Sequence, residues 1–386
     1  MDFSADPDHD AIIEAVDQRC AQFDDAYWAS CDHDHRFPWE FYNEMAAGGW
    51  IGIAIPERYG GGGRGITEAA LVLNRVAASG AAMNGSSALH LTMFGLNPVV
   101  KFGSDQLKDA FLPRAAVGDL HVAFGVTEPD AGTDTSRVAT RATDDGMGGW
   151  IVSGRKIWTT KALESEVCLL LARTDGEPGS FEGLSLLLVD LDPEYVDIAP
   201  IPKLGRNAVA SCEVAYDELP VEGWRLVGDR GRGFQQLLHG LNPERILLAS
   251  MACGLGEVAI RKATSYACER EVFGRPIGAN QAISHPLAQA HMQLAGAMNL
   301  AMLAAWRYDN GLECGEQANT AKYLAAEASY FAADQAVQTH GGLGYATEYH
   351  VGRYWLEARL QRLAPVSQEM TCNYIAQKVL GLPRSY

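Results

Sequence analysis

Val167-Cys168-Leu169-Leu170-Leu171 and Leu184-Ser185-Leu186-Leu187-Leu188-Val189 decide how this chain is organised. Between them lies the breaker cluster Asp175-Gly176-Glu177-Pro178-Gly179, and Asp190-Leu191-Asp192-Pro193 closes the second run. Upstream, Trp150-Ile151-Val152 follows Asp144-Asp145-Gly146 in the same manner. Short apolar or alternating runs at this spacing, punctuated by Gly, Asp and Pro, predict an all-β module of sandwich or barrel type over 121–231.

Outward from that module the period changes. Before it, Ile12, Ile13, Val16 and Cys20 recur at three- and four-residue steps, the mark of an amphipathic helix. Further helices are expected over Trp39–Ala47, Ala69–Ala78 and Ala88–Phe102, with Gly48-Gly49, Gly60–Gly63 and Pro113/Gly118 as breaks. After Gly233 about 130 residues run Ala-, Gln- and Leu-rich with few breakers, which predicts long packed helices. The expected organisation is therefore α, β, α: a helical domain over 1–120, a β domain over 121–231 and a helical domain over 232–386.

Composition excludes several functions. The 386 residues carry 31 Lys and Arg against 48 Asp and Glu, a net charge of −17. Nucleic acid and anionic membranes both reward basic patches, so neither partner is expected. The eight cysteines are scattered, with no C-x-x-C pair, so neither a disulfide framework nor a zinc site is expected. Met1-Asp2-Phe3-Ser4-Ala5-Asp6 is acidic and lacks an apolar stretch, unlike a secretory or transit signal. No apolar run approaches the ~18 residues of a membrane span. A cytoplasmic protein is expected.

Two local clusters point to no special chemistry. Cys31-Asp32-His33-Asp34-His35 could offer metal ligands, but it stands alone before Phe37-Pro38 and reads as a solvated helix lead-in, with no metal expected. Gly60-Gly61-Gly62-Gly63 lacks the Lys-Ser/Thr of a phosphate loop and reads as a connection between helices. The chain also has no G-x-S-x-G, no H-E-x-x-H and no opening Rossmann fingerprint.

Phe124-Gly125-Val126-Thr127-Glu128-Pro129-Asp130-Ala131-Gly132-Thr133-Asp134 is more distinctive. It places hydroxyls and free backbone N–H groups in a turn after a strand, a composition able to hold a polar cofactor. About 25 residues on, Gly154-Arg155-Lys156-Ile157-Trp158-Thr159-Thr160 puts an indole and two hydroxyls on one strand, which suits a planar ring with one stacking face and one polar edge. Composition alone favours a plainer account, an ordinary β-turn followed by a strand with a core Trp.

The pair resembles the flavin-binding signatures of the acyl-CoA dehydrogenase family, usually T-E-P-x-A-G-S-D and K-x-W-I-T-N. The resemblance extends to Phe37-Pro38, Pro56-Glu57-Arg58-Tyr59-Gly60-Gly61, Glu244-Arg245-Ile246 and Arg270-Glu271-Val272-Phe273-Gly274-Arg275-Pro276-Ile277 with Gln281. It continues in Gln338-Thr339-His340-Gly341-Gly342-Leu343-Gly344-Tyr345 and Asn373-Tyr374-Ile375-Ala376. It covers nearly the whole chain in the family's order. The implied fold has an N-terminal helical domain, a middle β domain and a C-terminal four-helix bundle.

The resemblance implies roles. Phe124, Val126, Thr127, Thr133, Trp158 and Thr160 match positions around FAD: Thr127 and Thr160 bond the flavin ring, Trp158 packs on it, and Thr133 lies near both pyrophosphate and thioester. Arg270, Phe273, Gln281, Gln338 and Gly342 match positions that hold the ADP half across a subunit boundary, so a homo-oligomer, usually a tetramer, is implied. Ser367 and Glu369 also fall at cofactor-side positions. Asn242 and Arg245, with Thr133, match substrate-side positions.

The implied reaction removes an α-proton from an acyl thioester as the β-hydrogen leaves as hydride. The base is a carboxylate shielded from water. Many members carry it near the C-terminus in Y-E-G-T-S, where this chain has Ala364-Pro365-Val366-Ser367-Gln368-Glu369, and Pro365 cannot serve. The family's second location, before an Arg on the first long bundle helix, falls here on Glu244. Its plainer account is a first-turn helix Glu after an Asn-Pro start, favoured by the helix dipole. That dipole would lower its basicity and desolvation would raise it. Leu356-Glu357-Ala358, where many members read Arg-Asp-Ala, and Ala364-Pro365 are expected to alter the pocket floor.

The implied function is dehydrogenation of an acyl-CoA or an acyl carrier protein thioester, with electrons passed to electron-transfer flavoprotein. Alternatives on the same fold are an oxidase, a lyase-type desulfinase and a flavin-bearing DNA-associated protein. Glu244 disfavours the lyase, and the net charge disfavours the DNA-associated protein.

Overall fold

The computed structural model describes residues 6–384. Seven helices come first: α1 (Pro7–Cys20), α2 (Asp25–His33), α3 (Trp39–Ala47), α4 (Ile66–Val76), α5 (Ala82–Gly95), α6 (Asn97–Phe102) and α7 (Asp105–Ala116). The β region follows as β1 (Val122–Gly125), β2 (Arg141–Asp144), β3 (Trp150–Thr160), β4 (Val167–Arg173), β5 (Leu184–Asp190), β6 (Val196–Pro200), β7 (Ser211–Val221) and β8 (Leu226–Val227). Helix α8 (Gly233–Glu269), the hairpin β9 (Glu271–Val272) and β10 (Arg275–Pro276), α9 (Gln281–Asp309), α10 (Gly315–His340), α11 (Val351–Leu360) and α12 (Gln368–Tyr374) complete the chain. The family fold is present. In the C-terminal helical domain α8, α9 and α10 pack on one another, α11 packs on α8 and α10, and α12 packs on α10.

The strand order is β6-β7-β3-β2-β4-β5-β8, with β1 parallel to β4. The apolar run in β4 explains why this sheet holds its helices. Every β4 residue is buried, and successive side chains point to opposite faces. Val167, Leu169 and Leu171 join Leu107, Phe111 and Leu112 of α7 in one core. Cys168, Leu170 and Ala172 join Trp150, Val214 and Tyr216 in another. One strand thus belongs to two cores, and the helical and β regions cannot slide past each other without opening one.

Three expectations need correction. Helix α8 begins at Gly233 and runs through Pro243, so Glu244 lies in its fourth turn and not its first. Proline removes the hydrogen bond to the His239 carbonyl, and tertiary burial of the helix carries it through. The helices expected over 69–78 and 88–102 are α4, α5 and α6, with a π-turn over 77–81. There Gly80 (φ +110°) and Ala82 (φ +49°) redirect the chain. Cys31 and Asp32 are no solvated lead-in: Cys31 is buried at the end of α2, and Asp32 accepts from Asn84 Nδ2 (3.0 Å) and the Asn207 N–H (2.6 Å). Among the described residues no helix is long and apolar enough to cross a membrane.

Candidate active site

The two signature segments are stapled together by a buried ion pair. Lys156 Nζ donates to Glu128 Oε1 at 2.7 Å and to the Val126 carbonyl at 3.1 Å. Glu128 also accepts from the Ala139 and Thr140 N–H groups at 2.8 and 3.0 Å. Burial draws the Lys156 ammonium down to about 8, and Lys156 in turn holds the Glu128 carboxyl below its usual range. The Ile157 N–H donates to the Thr127 carbonyl at 2.9 Å, so Thr127 is tied beside the residue that precedes Trp158.

Trp158 is placed by a bulge. Lys156 pairs with Val214 and Thr159 with Cys212, so two residues of β3 oppose one of β7. An extra residue of this kind re-aims a side chain. Trp158 adopts φ +60°, and its indole is left 53 % exposed. Thr160 is half-buried on the same strand, and its hydroxyl accepts from Arg206 at 3.3 Å. Phe124 and Val126 are half-buried next to this strand, while Thr133 is exposed past a turn closed by Glu128 and Ala131. An exposed indole, on a strand tied through Ile157 to the turn that carries Thr127, fits a planar ring with a polar edge. The residues present suit FAD.

The second set of implied cofactor residues lies elsewhere. Arg270 caps α8, and Phe273 and Gly274 form the hairpin tip at φ +54° and +77°, with Phe273 fully exposed. Gln281 opens α9, Gln338 lies in the last turn of α10, and Gly342 follows it; all three are exposed. Arg270 stands 26 residues beyond Glu244 on α8, about 40 Å along the axis at ~1.5 Å per residue. Among the described residues no hydrogen bond, ion pair or ring contact joins this set to the Trp158 set, so the structure does not bring the two together within one chain.

Glu244 is buried on α8, 7 % exposed, with no hydrogen bond or ion pair among the described residues. Desolvation raises its carboxyl to about 7, against the pull of Arg245 and Lys322. In mid-helix the dipole has little hold, and desolvation wins. Arg245 donates to Asn242 Oδ1 at 3.1 Å, and its Nε has no partner. Lys322 of α10 is buried, donates to the Val366 carbonyl at 2.6 Å and is drawn down to about 8 by burial. It thereby fastens the segment holding Pro365. Ser367 caps α12, and Glu369 is exposed in the first turn of that helix.

Glu357 corrects a further expectation. It does not form a pocket floor. It is wholly buried where three regions meet, accepting from the Met83 N–H (2.6 Å), Asn84 Nδ2 (2.9 Å) and Arg353 (3.1 Å), while Asn84 Oδ1 accepts from the Ala208 N–H (3.1 Å).

Sequence reasoning missed Lys161, His90 and Arg206. Lys161 stands where the family pattern reads Asn, and its φ of +66° is one that Asn tolerates better. Its ammonium is buried, drawn down to about 7 by burial, and among the described residues is bonded only to Thr92 Oγ1 (2.7 Å), beside the rings of Tyr42 and Phe37. That departure was visible. Nothing local marked His90 or Arg206.

Comparison with known proteins agrees with this geometry. The acyl-CoA dehydrogenase N-terminal, middle and C-terminal domain descriptions match residues 6–119, 123–219 and 231–380. The chain is 38 % identical over 389 residues to the acyl-CoA dehydrogenase FadE12 of Mycobacterium tuberculosis, covering 100 % of this chain and 99 % of that one. Butyryl-CoA dehydrogenase from Megasphaera elsdenii is 26 % identical with a TM-score of 0.94, over 98 % and 100 % of the two chains. A glutaryl-coenzyme A dehydrogenase in complex with glutaryl-CoA is 29 % identical with a TM-score of 0.93, over 100 % and 98 %. With all three domains matched and the flavin-side cradle assembled, the chain belongs to the acyl-CoA dehydrogenase family, oxidoreductases that depend on FAD.

Proposed function

We propose that this protein dehydrogenates an acyl thioester, most simply an acyl-CoA, between its α and β carbons, with Glu244 as the base. The observation that carries this is Glu244 itself: a buried, unpartnered carboxyl whose basicity desolvation raises to about 7. A general base works best with its pKa near the operating pH. Pro365 leaves no carboxylate at the family's commoner position, and Glu369, exposed in α12, lacks the required shielding. A retained base favours dehydrogenation over the lyase-type chemistry of relatives without one.

FAD, when bound, supplies the acceptor for the β-hydride and hands the electrons on, in this proposal to electron-transfer flavoprotein. Trp158 offers the stacking face, while Thr127 and Thr160, with Phe124, Val126 and Thr133, frame the ring. Ser367 and Glu369 would close the site from α12. Arg270, Phe273, Gln281, Gln338 and Gly342 would complete the site of a neighbouring subunit, which makes the functional unit a homo-oligomer and, by the family pattern, a tetramer. Asn242 steadies Arg245 through their 3.1 Å bond, and Arg245 beside the base limits how far Glu244 is raised. Glu244 holds the abstracted α-proton at its carboxyl oxygen, out of contact with bulk water.

Anaerobic addition of acyl-CoA to the holoenzyme tests this. Substrate should bleach the oxidised flavin band, and Glu244→Gln should bind substrate yet reduce the flavin ~10²–10⁴-fold more slowly. Reduction by Glu244→Gln at the wild-type rate would refute the assignment.

A further inference from the structure

Arg206 lies in the loop before β7 with its guanidinium buried. It donates to three neutral hydroxyls, Ser211 at 2.6 Å and Ser87 and Thr160 at 3.3 Å each. Among the described residues no carboxylate forms an ion pair with it. Glu357 attracts it only from beyond that reach, and its Nε–H has no acceptor. His90 of α5 is also buried with Nε2 unpartnered, its ring stacked on Phe94 at 5.7 Å and 8°. Burial and the nearby Arg206 hold it neutral at ordinary pH.

Ser87, His90 and Phe94 fall at i, i+3 and i+7 and share one face of α5. At one end, a Cβ built on Gly240 would lie 3.4 Å from the Phe94 ring, and Gly240 is one helical turn before Glu244. At the other end, Arg206 links Ser87 to Thr160. The face therefore spans the distance from the turn before Glu244 to the strand end that frames the flavin.

We propose that this face receives the far end of the acyl group, and that His90 and Arg206 select thioesters whose acyl group carries an oxygen acceptor there, a carboxylate above all. This rests on Glu244 being the base: with the α-carbon at Glu244 and the β-carbon toward Thr160, the remaining acyl atoms lie along this face. A plain alkyl chain would leave two buried donors without acceptors, which is costly. A carboxylate accepts from the His90 Nε2–H tautomer and from Arg206 Nε–H, and it supplies the counter-charge that the guanidinium lacks.

The test compares, on the holoenzyme, an ω-carboxy acyl-CoA with the unsubstituted acyl-CoA of equal chain length, over four to six carbons, so that every compound has a β-hydrogen. Anaerobic flavin reduction gives the rates, and calorimetry with unreactive thioether analogues gives binding. The ω-carboxy form is expected to lead by at least ~10-fold in the best-matched length. That ratio should fall toward one in His90→Leu and in Arg206→Gln, with flavin occupancy measured beside each. Equal or better reduction and binding with the unsubstituted chain overturns the proposal while leaving the dehydrogenase intact. No reduction by either series overturns the proposal together with the reading of Glu244. A ratio unchanged in His90→Leu removes His90 even if Arg206→Gln does not fold.

Discussion

Lys156 reaches from β3 to place its ammonium 2.7 Å from Glu128 Oε1, and both side chains are buried. The pair joins the strand that carries Trp158 to the turn that carries Thr127, so two segments about 30 residues apart form one cradle. Lys156→Met should leave Glu128 as an unpaired buried charge. Breaking a buried pair from one side typically costs ~3–5 kcal/mol. The expected outcome is a markedly lower melting temperature and loss of bound flavin; unchanged melting and occupancy would show that the pair is dispensable.

The Glu244 carboxyl, raised to about 7, gives a pH dependence of defined sign. Only the ionised form accepts a proton, so the rate of flavin reduction should rise with pH through about 7 and then level. A stability effect runs the other way. A carboxyl raised on folding binds its proton more readily in the native state, so its contribution is full below the unfolded value near 4.5 and is lost as pH rises through about 7. Glu244→Gln should therefore melt higher than the wild type at pH 8, by up to ~3 kcal/mol, with the difference gone by pH 4.5. Melting curves of both proteins across that range decide it.

Phe273 is fully exposed at a hairpin tip in the left-handed region, so it contributes nothing to the fold of its own chain. Phe273→Ala should leave circular dichroism unchanged while lowering flavin occupancy or oligomer stability. Sedimentation combined with the flavin-to-protein absorbance ratio measures both. Full occupancy in the variant would remove Phe273 from the cofactor site.

Lys161 carries a buried ammonium drawn down to about 7, with one hydroxyl partner and two aromatic rings beside it. Its lowered value means that folding disfavours the bound proton, so stability falls as pH drops from about 10.5 toward 7. Lys161→Met removes that penalty. We expect a gain of ~1–2 kcal/mol at pH 7 that shrinks toward pH 10; a loss of stability at pH 7 would show that the cation–π contacts outweigh burial.

How much of this was legible in the sequence varies with the range of the interactions. Thr127 and Trp158 stood in motifs whose residues lie close along the chain, and Glu244 announced itself beside Arg245. The start of α8 was misplaced because Asn242-Pro243 has the composition of a helix N-terminus, while burial on both sides of the proline overrides that local signal. The junction of Asp32, Asn84, Ala208 and Glu357 left no mark in the sequence, since its members come from four distant segments and each is ordinary alone. Arg206 and His90 were hidden for the same reason: what sets them apart is a guanidinium with no carboxylate beside it and an imidazole Nε2 with no partner, and both are known only once the chain has folded.

Helix α8 carries Glu244 in its fourth turn and is capped by Arg270, directly before the hairpin. Because successive residues of an α-helix turn by about 100° and advance about 1.5 Å, the heading of that hairpin is fixed by a count of residues. One residue inserted between the two would swing the hairpin about 100° around the axis. Seven would bring the heading back to within about 20°, but would carry the hairpin about 10 Å outward. If Glu244 is the proposed base and the hairpin serves the proposed cofactor site, the interval between them is a vernier, and its length is as much a part of that site as any side chain in it.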